Sequence, residues 1–297
     1  HRMIDACKQH GVHLVVGHSH SFDAPVLQAR RLIESGQWGG VQMIQALNFT
    51  DFLYRPRRPE ELDTAQGGGV VFSQAAHQID IVRLLGGGRV RSVYARTGQW
   101  DRSRPTEGAY SAMLDFEDGA FASVSYNGYG YYDSDVLMDG WGELAQRKDP
   151  TAHAQTRARW RETTDEAAEA ARKAQRNYGG PQYVAQTPVA TPATPTVFQH
   201  FGPVWVSCER ADMRLWPTGV EVHDDQGCTR FEPAPSAVPR SEVIDELWRV
   251  AREGAPALHS GEWARASLEV CLGILQSSRE RAPIAMHHQL APVTQTL

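Results

Sequence analysis

Apolar positions along this chain follow two spacings, and the two occur in separate blocks. Val41, Met43, Gln45, Leu47 and Phe49 interleave with Gln42, Ile44, Ala46 and Asn48, the period-two signature of a strand. Val90–Thr97 reads the same way. So do Ala109–Phe116 and Ala120–Tyr126, which flank Glu117-Asp118-Gly119, a strong hairpin turn. Val204–Glu209, Arg214–Trp216, Val220–His223 and Cys228–Glu232 follow, with Asp225-Gln226-Gly227 turning the chain between the last two. Short strands joined as hairpins predict a mostly antiparallel sheet.

The other blocks carry helical spacing. Asp23 and Pro25 open a helix bearing Val26, Leu27, Arg30 and Ile33, and Gly36 stops it. Ala76, Ile79, Val82, Leu84 and Leu85 mark a second helix. Near the end, one helix carries Val243, Ile244, Leu247, Trp248 and Val250 and stops near Gly254. Another spans about Gly261 to Arg281, with Ala264, Leu268, Cys271, Leu272 and Leu275 as its expected buried stripe. The chain opens on a helical stripe of Met3, Ile4 and Cys7 ending at Gly11, and Val12–Gly17 then reads as a buried strand. Residues 141–200 look like an insertion. Within it, Ala154–Asn177 is a charge-rich helix expected to be mostly solvated, with a role as flap or oligomer contact left open, and Gly179–Thr196 is Pro/Thr-rich and irregular.

Composition narrows the class. The 297 residues are 41% hydrophobic and 22% charged, an ordinary globular balance with ample core. A net charge of −5 argues against a nucleic-acid binder, which wants a basic surface. No apolar run approaches a membrane span and no signal peptide is visible. Cys7, Cys208, Cys228 and Cys271 are scattered, a pattern of reduced cytoplasmic thiols rather than a disulfide framework or zinc knuckle.

The densest candidate chemistry lies in Gly67-Gly68-Gly69 and the helix that follows. Ser73, His77 and Asp80 fall at i, i+4 and i+7, so one face carries three polar groups. His77 is the candidate acid–base, since a group of pKa about 6.5 trades protons near neutrality; a core histidine bonded to a carbonyl is the plainer alternative. Asp80 either orients His77 or ties down the glycine loop. His18 and His20 end the expected first strand and face a ligand crevice in an α/β arrangement; as a metal pair with His77 they have no carboxylate or cysteine at ligand spacing, so a substrate- or nicotinamide-facing role is preferred and no metal is expected. Arg55, Arg57 and Arg58 sit in a proline-stiffened loop, where guanidinium forks suit carboxylates or simply stay solvated. Tyr126, Tyr129, Tyr131 and Tyr132 line either an aromatic pocket or a sheet edge. No strand–Gly-x-Gly-x-x-Gly–helix unit occurs; Gly86-Gly87-Gly88 stands in the wrong order for one.

The 67–86 run resembles the glycine-rich segment and active-site helix of the Gfo/Idh/MocA oxidoreductases, which read roughly G-G-G-x-L-x-D-x-G-x-H-x-x-D. The glycines, His77 and Asp80 match; Ser73 stands for the family's aspartate and Ala75 for its glycine. Together with Gly17–Asp23 and Asn48–Pro59, the run looks most like the phthalate 4,5-cis-dihydrodiol dehydrogenases. The resemblance implies an α+β fold with a large, mostly antiparallel sheet packed with helices. Residues 1–17 would be a remnant of a dinucleotide-binding domain, and 18–297 a substrate-binding and oligomerisation domain. The chain is thus expected to be a fragment, with the family's Glu-Lys-Pro lysine absent. The resemblance further implies NAD or NADP as cofactor, approached by Gly67, Gly68 and Gly69, with His77, Ser73 and Asp80 as the catalytic group. His18, His20, Arg55, Arg57 and Arg58 would bind a carboxylated aromatic diol, and the sheet face would join copies into a homo-oligomer. A non-catalytic binding or assembly module, and a sugar or inositol dehydrogenase, stand as alternatives.

Overall fold

The computed structural model describes residues 1–17, 20–163, 165–177, 179–183, 197–234 and 241–293. Nine strands form its sheet: β1 (Val41–Phe49), β2 (Val90–Gly98), β3 (Ala109–Phe116), β4 (Phe121–Asn127), β5 (Val204–Cys208), β6 (Asp212–Trp216), β7 (Gly219–Asp224), β8 (Gly227–Phe231) and β9 (Ile284–Ala285). Their order is β8-β7-β6-β5-β1-β4-β3-β2-β9. Neighbours are antiparallel except β1 and β4, which run parallel with Met43 opposite Phe121. A parallel pair needs a long crossover. The chain supplies it between β1 and β4 as a loop, a helix and the strands β2 and β3.

The helices are α1 (Arg2–Gln9), α2 (Ala24–Glu34), α3 (Ala76–Leu85), α4 (Ala152–Arg161), α5 (Glu166–Arg176), α6 (Ser241–Trp248) and α7 (Gly261–Glu280). α2, α3 and α7 cover one face of the sheet. Alternate strand positions such as Ile44, Val93, Leu114, Val124, Val206 and Met213 bury themselves beneath them. Each such side chain contributes roughly 1.5–3 kcal/mol of transfer free energy. The opposite face leaves Tyr94, Met113 and Phe121 exposed.

Five expectations need correction. Residues 12–17 make no strand: Val15 forms one bridge to Ser260 and the Val16 N–H donates to the His259 carbonyl, with no further strand alongside. Met3 is exposed and only Ile4 of the first stripe is buried. α7 is rotated relative to its expected stripe. Leu268 and Leu272 face solvent, while Trp263, Ser267, Val270 and Ile274 face inward, because Trp263 and Ser267 hydrogen-bond a carboxylate on α3. On α6, Ile244, Leu247 and Trp248 are exposed and Glu246 is buried, for a similar reason: its carboxylate serves His259. Gly179–Thr196 lies largely outside the described residues. The helix expected at 154–177 is two helices; they are mostly solvated as expected, but α4 buries His153 and Arg157 and α5 carries the buried Glu169. Among the described residues no helix is long and apolar enough to cross a membrane, and the four cysteines are free thiols.

Candidate active site

The helical run that carries His77 begins as a π turn, Val71–Ala75, and continues as α3. π turns are frequent where side chains must be re-aimed at functional sites. His77 is half-buried in the first turn of α3. Its ring meets His20 edge-on at 5.2 Å and 82°, and meets Phe201 at 5.2 Å and 45°. Phe201 also lies 5.0 Å from His20 and stacks with Tyr126 of β4 at 6.2 Å and 16°. The turn before α2, the start of α3, the run into β5 and the end of β4 thus converge on one aromatic-walled place.

Hydrogen-bond bookkeeping fixes the charge of His20. Its Nδ1 lies 2.8 Å from Asp23 Oδ2 and its Nε2 lies 3.1 Å from Glu143 Oε1. Ionised carboxylates only accept, so both ring nitrogens donate and the ring is an imidazolium. Burial opposes that charge, yet the hydrogen bonds and charges of Asp23 and Glu143 outweigh it and raise His20 to about 9. Burial likewise pushes Glu143 up, but His20, Arg55 and His77 together draw it down to about 2. Asp23 stands at the N-cap position of α2 as expected but makes no side-chain cap bond there; its carboxylate goes to His20.

The three arginines part company. Arg55 donates Nε to Asp51 Oδ1 at 2.8 Å, and Glu143 and Tyr126 are among the charged and titratable groups around it. Its side chain is 39% exposed. Its two terminal guanidinium nitrogens make no hydrogen bond among the described residues. Arg57 turns away, donating Nε and Nη2 to the Phe52 carbonyl at 3.1 and 2.9 Å with its guanidinium 3.5 Å over the Phe52 ring. Arg58 lies on the surface beside Glu60 and Glu61. The fork of Arg57 is spent on the Phe52 carbonyl; Arg58 engages only its Nε, and among the described residues no contact joins it to the groups around His77.

Asp80 is also drawn aside. Fully buried, it accepts from Trp263 Nε1 at 2.6 Å and Ser267 Oγ at 2.7 Å, so its carboxylate ties α3 to α7. Ser73 lies half-buried one turn before His77. His18 lies outside the described residues. Among the tyrosines, Tyr126 and Tyr129 are buried, whereas Tyr131 and Tyr132 are exposed. Among the described residues no group of three or more His, Cys, Asp and Glu is placed to hold a metal ion.

A dinucleotide phosphate would require open backbone amides at a glycine-rich helix start. Here a Cβ on Gly68 would come within 2.5 Å of the Glu60 carbonyl oxygen, and Gly69, at φ +83°, packs directly against Glu107 and Thr106. The Glu107 carboxylate accepts the Val71 N–H at 3.1 Å, and its backbone carbonyl accepts the Val70 N–H at 3.2 Å. The chain's own carboxylate fills the place an external anion would take. Gly68 and Gly69 allow this close self-packing, whereas a Cβ on Gly67 would meet nothing within 4 Å.

Glu143 and Phe201 escaped the sequence reading, and Asp23 and Asp51 entered it only as a helix start and as part of the 48–59 run. Glu143 lies 123 positions from His20, and neither it nor Phe201 sits in a periodic pattern or motif that could have marked it.

Comparison with known proteins adds an independent line. Residues 26–143 match the GFO/IDH/MocA C-terminal domain family. A Comamonas testosteroni protein named 1-carboxy-3-chloro-3,4-dihydroxycyclo hexa-1,5-diene dehydrogenase is 42% identical over 279 residues, spanning 93% of this chain and 69% of that protein. A solved structure from Bordetella bronchiseptica RB50, titled as a dehydrogenase, superimposes with a TM-score of 0.87 at 39% identity, covering 96% of this chain and 72% of the other. The WlbA dehydrogenase from Bordetella pertussis, solved with NADH and UDP-GlcNAcA, shares the fold at 18% identity and a TM-score of 0.57, covering 96% and 67% of the two chains.

Proposed function

The chain belongs to the Gfo/Idh/MocA family of oxidoreductases, and from that premise we propose that it serves a dehydrogenase acting on a carboxylated cyclic cis-diol. The observation that carries this reading is the open fork of Arg55, set among the groups that surround His77. A guanidinium with two unspent coplanar donors is suited to a carboxylate. Phe201 and Tyr126, both buried, form the apolar wall behind His77 on which the ring would lie.

In this reading the ring carboxylate pairs with Arg55 and the diol lies toward His77. A ring nitrogen of His77 takes the hydroxyl proton as the carbinol becomes a carbonyl. The neighbouring Glu143 carboxylate supplies negative charge for the imidazolium so formed, a task the Ser73 hydroxyl cannot perform. Asp80 acts at one remove, holding α3 in place. NAD or NADP is the hydride acceptor this chemistry calls for, and its phosphates find no cradle in the glycine run described above. The product ring is an aromatic catechol, whose formation draws the reaction forward.

The relative's name specifies one carboxyl group on its ring. One open fork suits one carboxylate; a phthalate diol carries a second, and the guanidinium of Arg57 is already committed to Phe52. A sugar or inositol would leave Arg55 unmatched. The exposed Tyr94, Met113 and Phe121 support self-association through the open sheet face.

Calorimetry tests the central reading without a cofactor. With 3,4-dihydroxybenzoate and catechol as product-like probes, Arg55→Ala should weaken the carboxylated probe about 10- to 100-fold, the loss expected for a charge-assisted bond. Catechol affinity should hardly change. Equal losses on both probes, or none on either, would remove Arg55 from the site and reopen the sugar reading.

A further inference from the structure

Arg55 stands on a loop that is tied internally, by Arg55 to Asp51 and by Arg57 to the Phe52 carbonyl, and also from outside. Residues 51–66 form three short 3-10 turns, Phe52–Tyr54, Pro59–Leu62 and Thr64–Gln66. What holds the loop from behind is the segment between β4 and β5. Asp51, which receives Arg55 Nε, has His153 Nε2 of α4 at 4.0 Å. His153 in turn lies 3.2 Å from Asp133 and 3.3 Å from Lys148, whose ammonium also reaches Asp133 at 2.7 Å and Asp135 at 2.8 Å. Further along α4, the Trp160 ring lies 5.0 Å from Tyr54, and Arg157 donates to the Gly130 carbonyl.

α5 grips the other side of the same loop. Glu169 Oε1 accepts the backbone N–H of Arg57 at 2.8 Å. The same carboxylate is anchored by the buried Arg104 through a two-pronged pair at 2.8 and 3.0 Å. Lys173 reaches Glu61 beyond it. Glu169 is buried, so its charge is compensated by these partners rather than by water.

We propose that α4 and α5 form the specificity element of this site. They clamp the 51–61 loop so that Arg55 presents its fork to the substrate, with His153 and Glu169 as positioning residues. The proposal rests on the reading of Arg55 as the carboxylate-binding group. It gives the β4–β5 segment a job that its solvated, charge-rich sequence does not announce. A fork held by two helices loses little freedom on binding, and a loosened loop would lose affinity through the carboxylate alone.

The test compares His153→Phe, Glu169→Ala and Arg55→Ala by calorimetry with 3,4-dihydroxybenzoate and with catechol, using thermal melting to confirm that each variant is folded. His153→Phe and Glu169→Ala should each weaken the carboxylated probe roughly 5- to 10-fold and leave catechol within twofold. Glu169→Gln, which keeps an acceptor for the Arg57 N–H, should recover most of the loss. A merely structural role would lower both affinities together, and that outcome overturns the proposal. If Arg55→Ala selectively weakens the carboxylated probe while His153→Phe and Glu169→Ala do not, the clamp fails and the Arg55 reading stands. If Arg55→Ala itself shows no selectivity, the proposed substrate class fails first and the clamp goes with it.

Discussion

His77 and Asp80 stand one turn apart on α3, yet they belong to two clusters of similar composition and opposite character. Around His77 lie a second histidine, Glu143, Asp23 and an arginine. Around Asp80 lie His259, Glu246, Ser21, Ser267 and Arg83. In the second cluster His259 Nδ1 sits 2.9 Å from Glu246 Oε2, and its Nε2 sits 2.9 Å from Ser21 Oγ. Serine, histidine and glutamate in that order suggest a nucleophilic relay on paper. Ser21, His259 and Asp80 show no exposed surface, however, and the His259 ring is stacked on Phe22 at 3.7 Å. Arg83, fully buried against Trp263 at 3.9 Å, donates to Ser267 Oγ at 2.7 Å and to Gln289 Oε1 at 2.9 Å. The two clusters teach that residue type does not decide function here. The difference is an open valence: the terminal nitrogens of Arg55 make no hydrogen bond among the described residues and its side chain is 39% exposed, and Glu143 is 30% exposed, whereas the Asp80 cluster is sealed and tied to α7.

The sharpest way to break this comparison is to cut each cluster at its histidine-bearing helix. In the complete enzyme, His77→Asn should keep the fold and reduce turnover by roughly 10²–10⁴-fold, the range for losing an acid–base group. Steady-state kinetics with circular dichroism reads both quantities. Turnover near wild type with an unchanged pH profile would make His77 as structural as Asp80.

Asp80→Ala should do the reverse. It strands the Trp263 indole, the Ser267 hydroxyl and the nearby Arg83 charge in a sealed interior, a mechanism that costs about 3 kcal/mol or more. Urea denaturation should show the loss as a lower midpoint. A variant as stable as wild type but catalytically dead would move Asp80 into the catalytic group after all.

Much of the fold was legible because strands and hairpins announce themselves locally. β3 and β4 were readable from the alternation on either side of Glu117-Asp118-Gly119, and β7 and β8 from their own turn. The expected strand at 12–17 failed because apolar content says nothing about whether a pairing strand lies alongside. The stripes on α6 and α7 were misplaced in part: Val250 and Cys271 are buried as expected, but Glu246, Trp263 and Ser267 turn inward for hydrogen bonds while Leu247, Leu268 and Leu272 face solvent. In the site, His77 and Arg55 stood out by motif and by proline-flanked charge, and His20 by its place after a strand-like run. Glu143, Phe201 and the clamp residues did not, since each gains its meaning from contacts with distant parts of the chain.

Acidity offers a subtler handle on the open cluster. His20 is raised to about 9 in the fold against an ordinary 6.5. Its contribution to stability is therefore complete below about pH 6.5 and is lost as pH rises through about 9. Glu143, lowered from 4.5 to about 2, contributes fully above 4.5 and loses that contribution as pH falls through about 2. Melting temperatures of wild type and His20→Gln, measured from pH 6 to 10, should lie farthest apart at the acidic end and approach each other toward pH 10. A gap that widens with pH would mean that His20 is neutral in the fold and that its two carboxylate partners do not both accept from it.

The smallest expected effect is also the cleanest control on what makes an arginine functional in this loop. Arg58 lies three residues from Arg55, and its side chain is 51% exposed, with Nε 3.1 Å from Glu60 and 3.4 Å from Glu61. Exposed pairs of this kind contribute about 0–1 kcal/mol because water and salt screen them and both side chains stay mobile. Arg58→Ala should leave the melting temperature nearly unchanged and the affinity for 3,4-dihydroxybenzoate within twofold. With the proposed pairing on Arg55, raising the salt concentration should weaken binding equally in wild type and in Arg58→Ala. A tenfold loss on removing Arg58 would place a second guanidinium at the substrate. That result would favour a dicarboxylated ring such as a phthalate diol over the single carboxylate that one open fork suggests.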